Sequence, residues 1–158
     1  MKAHFIILVA SFFAAGNVSA QTSVSKVSLI GDDEVRYESI IKECPTLLLD
    51  VAHNSMDEAY DVWTSMLSDL EDAAEVDGID LKGAKLWVNF FWSNDGSVKN
   101  VVYYPKPNSK NMDYDMVSKF LEDFSLEYQL PLTHETCFSH YGSASFPVHS
   151  KFKKGDSN

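Results

Sequence analysis

The chain has 158 residues, with 13 Lys and Arg against 23 Asp and Glu, a formal net charge of −10. That balance argues against nucleic acid and against an anionic membrane surface, since both are gripped by clustered cations. At 45% hydrophobic residues, this is the composition of a folded domain whose acids form a solvated surface.

Residues 1–20 read as an export signal. Lys2 supplies the positive start, Phe5 to Ala15 the apolar run, and Val18-Ser19-Ala20 a small-residue cleavage site before Gln21. The apolar run is shorter than the roughly 20 residues a spanning helix needs, so no stable membrane span is expected after cleavage. An uncleaved anchor is the competing reading. No cysteine follows the run, which argues against a lipid anchor there. Losing Lys2 makes the chain one unit more negative.

Residues 21–54 form a lead-in. Gln21 to Ser28 is polar and Ser-rich, Tyr37 to Cys44 suits a short helix, and Thr46 to Val51 a short strand. Asp32-Asp33-Glu34 is too short an acidic run to read as a metal site, and His53 reads as a loop residue. From Ser55 the pattern sharpens. Ser55-Met-Asp-Glu58 has the form of a capping box, in which hydroxyl and carboxylate each satisfy a free backbone N–H. Met56, Tyr60, Trp63, Met66, Leu67, Leu70, Ala73 and Ala74 then recur at three and four, the apolar stripe of a helix that Asp77-Gly78 ends.

Lys82 to Tyr104 predicts a β-hairpin. Leu86, Val88, Phe90 and Trp92 alternate with Trp87, Asn89 and Phe91, and Asp95-Gly96 supplies the positive φ angles of a tight turn. If helices cover one face only, Trp87 and Phe91 are the aromatic set left exposed, and they would mark a contact surface such as a homodimer face. The alternative is that the lead-in covers them. A second helix is expected over about Asp113 to Glu127, stopped by Pro131. A third strand follows within Thr133 to Phe152, broken at Gly142 by a bulge or bend and confined to a sheet edge by Pro147. The expected class is α+β: a small antiparallel sheet, made of the hairpin and a C-terminal edge strand, with two helices on one face. Its domain spans 55–153, with 154–158 as a tail.

The densest cluster of reactive side chains is His134, Glu135, Cys137 and His140. On a strand His134 and His140 share one face and the other two the opposite face, and the spacing matches no standard zinc pattern. A secreted metal-dependent enzyme using His134, Cys137 and His140 is therefore the alternative to a non-catalytic protein. No Gly-rich phosphate loop or nucleophile elbow is present, and no cofactor is expected. Export would allow Cys44 and Cys137 to pair; two buried free thiols are the other reading.

The order of these elements resembles the TonB C-terminal domain family, from about Met56 to Phe152. The likeness rests on the corner Ala74-Glu-Val-Asp-Gly78-Ile79, on Gly83 opening the first strand, and on the turn Asp95-Gly96-Ser97-Val98. It continues through the following helix to the Pro147-Val148 pair and the terminal aromatic Phe152. Departures are equally visible. Leu70-Glu71 replaces the family's Tyr-Pro pair, extra residues separate Ile79 from Gly83, and the lead-in has neither an anchor nor a Pro-rich spacer. The resemblance implies a module that binds an envelope protein or peptide by strand addition, without catalysis and without the energy-transducing role. It implies a periplasmic, envelope-associated or secreted location in a Gram-negative cell. The edge it assigns is Tyr141, Ser143, Ser145, Phe146 and Val148. Small residues there let another backbone approach, although Gly142 to Ser145 could equally be a turn.

Overall fold

The computed structural model describes residues 25–149. The expected signal (1–20), the first lead-in residues, Phe152 and the tail lie outside them. The elements are β1 (Val27–Leu29), α1 (Glu34–Glu43), β2 (Thr46–Leu47), α2 (Leu48–Val51), α3 (Met56–Val76), β3 (Lys85–Trp92), β4 (Val98–Pro105), α4 (Tyr114–Glu127) and β5 (Phe138–Ser145). Among the described residues no helix is long and apolar enough to cross a membrane.

The fold is α+β, built on one sheet of order β1-β4-β3-β5-β2. Its centre is the expected antiparallel trio, with β3 between β4 and β5. The lead-in adds a short parallel strand at each rim, β1 on β4 and β2 on β5. The sheet is thus mixed and five-stranded rather than purely antiparallel. Two-residue and three-residue strands carry little alternation, which is why periodicity did not reveal them.

The two faces follow from the period of two. Leu86, Val88, Phe90 and Trp92 join Val101, Tyr103 and Phe138 beneath α3 and α4 in the main core. Phe90, Trp92 and Phe138 form a ladder with centroids 5.8 and 5.4 Å apart. Tyr103 is buried in this core, and its hydroxyl donates to the Tyr114 carbonyl at 3.0 Å. The second face carries its own small core: Ile40 of α1 and Cys44, which caps the helix, pack on Phe91 and Val102, with Tyr37 beside them. Phe91, expected to be exposed with Trp87, is fully buried, because α1 crosses this face on its way from one rim strand to the other.

α3 begins at Ser55, whose hydroxyl accepts the Glu58 N–H at 3.2 Å. The reciprocal half of the expected capping box is missing, since the Ser55 N–H donates to the Ala52 carbonyl instead. The helix runs through Leu70-Glu71 without interruption. It ends in a Schellman motif: Ile79 N–H donates to the Ala74 carbonyl at 2.7 Å and Gly78 N–H to that of Glu75. The corner read in the sequence is this motif.

In the hairpin only Gly96 takes positive φ, at 87°, so the turn needs one left-handed residue rather than two. A Cβ at Gly96 would collide with the Leu130 carbonyl oxygen and lie 2.7 Å from that of Leu132. The segment leaving α4 crosses over the turn and donates Leu130 N–H to the Gly96 carbonyl, on the way to placing β5 beside β3.

Candidate functional site

β5 runs from Phe138 to Ser145 in unbroken register with β3. The expected bulge at Gly142 is absent, and the reading of Gly142 to Ser145 as a turn is corrected with it. Along β3, Lys85 turns its backbone groups to the β4 side, its carbonyl accepting from Lys106 N–H and its N–H donating to the Ser109 hydroxyl. Alternation then turns Leu86, Val88 and Phe90 toward β5, where their partners are Ala144, Gly142 and His140. Tyr141, Ser143 and Ser145 therefore direct their N–H and C=O groups outward, away from β3.

At the start of this outer edge β2 is already seated, Thr46 opposite Phe138 and Leu47 opposite Ser139. Cys44 and Cys137 lie at disulfide distance, Cα atoms 5.0 Å apart, and Thr46 and Thr136 share a hydroxyl hydrogen bond of 3.1 Å. The chain then leaves the edge, because Leu48 opens α2. Beyond Ser139 no strand of the described residues pairs with the outer side of β5. β2 thus covers two residues of the rim, α2 packs against β5 just beyond it, and no strand of the described residues covers the remainder.

Of the five sequence-assigned edge residues, Tyr141, Ser143 and Ser145 are exposed on this open stretch. Phe146 and Val148 are not rim residues. Both side chains are buried in the main core, and the Val148 N–H is held by the Glu71 carboxylate at 3.0 Å. They lie past the end of β5, where the chain folds inward, so the alternation read through Pro147 served packing.

One flank of this edge is an apolar groove of about 420 Å³ between β2, α2, α3 and β5. Leu47, Met56, Ala59, Tyr60, Trp63 and His140 line it. Met56 and Tyr60, read as part of the helix stripe, are 70% and 51% exposed. The sheet does not extend far enough to cover the first turn of α3. His140 lies against Trp63, ring centroids 4.6 Å apart, and burial lowers its pKa below the usual histidine range. Upstream of Met56, His53 and Asn54 both adopt positive φ (56° and 59°), an uncommon pair for residues with a Cβ.

The other flank is the part of the second face that α1 leaves uncovered. Trp87 (40% exposed) stacks on Tyr141 (53% exposed) with centroids 6.0 Å apart. The Lys106 ammonium sits 3.8 Å from the Trp87 ring centroid and donates to the Ser143 hydroxyl at 2.5 Å. Asn89 marks the boundary: it is buried on the same face, its amide donating to the Tyr37 hydroxyl.

The His134, Glu135, Cys137 and His140 cluster does not converge. His134 shares a hydrogen bond with Thr136, Cys137 is bridged to Cys44, and His140 faces Trp63 on the groove side. Among the described residues no group of three or more His, Cys, Asp or Glu is placed to hold a metal ion.

Sequence reasoning missed Lys106 and the groove residues of α3. Lys106 lies past Pro105, outside the alternating strand, and the amphipathic stripe of α3 looked like core along its whole length. Comparison with known proteins returned no family, no curated protein and no solved structure that matches this chain.

Proposed function

We propose that the protein is an exported binding module that captures an extended segment of an envelope protein or peptide by strand addition along β5. The observation that carries this reading is the outer edge of β5 from His140 to Ser145. There Tyr141, Ser143 and Ser145 offer backbone donors and acceptors with no strand beside them among the described residues. An added strand gains backbone hydrogen bonds at such an edge and takes specificity from the pockets beside it. The edge is short and lies between a native strand and a proline, a form that limits indiscriminate pairing.

The sequence resemblance to the TonB C-terminal family supports the same reading, since the run of helix, hairpin, helix and edge strand is the order α3, β3, β4, α4 and β5. The residues suggest the binding half of that family's work without energy transduction, and no catalytic role. Export rests on residues 1–20, and a periplasmic or secreted location follows from it. Hydrogen exchange with and without a partner recovered from the native envelope tests the site. Protection should rise at Tyr141, Ser143 and Ser145. Protection confined to α1 or α4 would move the site elsewhere.

A further inference from the structure

We infer that the segment captured at β5 alternates apolar and acidic residues, its apolar side chains entering the groove on α3 and its carboxylates meeting Lys106 and Lys85. This rests on the strand-addition reading and adds the chemistry of the partner.

The inference comes from the two unlike flanks of one edge. Successive side chains of an added strand point to opposite faces. A residue opposite Ser143 shares its face, with Cβ atoms about 5 Å apart. That places the side chain beside the Lys106 ammonium, which already reaches Ser143 at 2.5 Å. The next position on that face lies opposite Ser145, whose partner on β3 is Lys85. Among the described residues neither Lys106 nor Lys85 forms an ion pair with a carboxylate. Two uncompensated cations side by side are notable in a chain of net charge −10.

Residues of the added strand opposite Gly142 and Ala144 point the other way. These two have the smallest side chains of β5 on that face, and Gly142 lies against Trp63 and His140, which line the groove with Met56 and Tyr60. Glu71 of the same helix holds the Val148 N–H just past the end of β5, so a carboxylate on this side would meet like charge and an apolar side chain would not. The alternation required of the partner is thus set on both faces.

The test uses the full chain, bridge intact, and three fluorescent octapeptides in which Val alternates with Glu, Ser or Lys. The Glu peptide should bind best, about fivefold over the Lys peptide at low salt, with the gap closing as salt rises. Lys106→Glu should reverse the order. Ser143→Pro removes an outward N–H that β3 does not use and should abolish binding of all three; exchange protection of β3 reports whether that variant stays folded. Lys106→Trp, which blocks the same flank without touching the backbone, provides a second check. If the three peptides bind alike and both blocking variants abolish binding, the charge preference is wrong and the edge stands. If binding survives both variants, or no peptide binds, the edge reading itself fails.

Discussion

Gly142 lies directly beneath the indole of Trp63: a Cβ built at position 142 would come 3.1 Å from Trp63 Cζ2 and 2.9 Å from His140 Nε2. The glycine lets α3 settle onto β5, and that contact shapes the floor of the groove. Gly142→Val should push Trp63 and His140 off the sheet at a cost of about 1–3 kcal/mol, the range for overpacking a close-packed site. Urea unfolding measures it. A loss below a few tenths would mean that the contact is slack.

The bridge decides how much of the β5 edge the protein keeps for itself. Cys44 and Cys137 are separated by 93 positions, a loop whose closure is worth on the order of 4–5 kcal/mol in the chain-entropy model. The double substitution Cys44→Ser with Cys137→Ser should lower stability by up to that amount. It should also free β2, which holds β5 by two residue pairs. Exchange at Ser139, whose backbone groups face β2, should then accelerate far more than exchange in β3. Equal acceleration throughout would show that β2 is not a separate clasp.

His140 gives stability a pH dependence. Burial lowers its native pKa below the ordinary 6.5, so in the window between the two values the unfolded chain binds more protons. Its contribution is complete above about pH 6.5 and is lost as pH falls through the native value. The wild type should therefore unfold at lower urea as pH drops from about 7.5 to 5.5, and His140→Leu should flatten that slope. Parallel slopes for the two proteins would assign the effect to other groups.

The start of α3 separates a half-built cap from a complete one. Ser55→Ala removes the acceptor for the Glu58 N–H and should cost about 1 kcal/mol. Glu58→Ala should cost markedly less, since the Ser55 N–H already bonds to Ala52. Thermal melts of the two variants compare them directly; equal losses would restore the reciprocal box.

Long periodic elements were legible because each encodes its burial in its own spacing. The eight-residue alternation of β3 and the three-and-four stripe of α3 named most of the main core, and Asp77-Gly78 declared the helix stop. Met56 and Tyr60 show where that logic ends. Their spacing is indistinguishable from that of Trp63, yet they overhang the sheet because its edge lies short of the helix start. Phe146 and Val148 erred in the opposite direction, alternating like rim residues while turning into the core. Of the edge residues, Tyr141, Ser143 and Ser145 were legible as a strand face, whereas Lys106 was not, since it reaches Ser143 from 37 residues away.

The sequence by itself settled the α+β class, the hairpin, the two long helices and the acidity of the surface, for these depend on residues within a few positions of one another. Tertiary structure alone decided that α1 covers Phe91 but not Trp87, that β2 occupies two residues of the β5 edge, and that lysine and groove flank what remains. Those are meetings of segments far apart along the chain. Spacing within one segment carries no trace of the partner it will meet, so only the folded packing could choose among them.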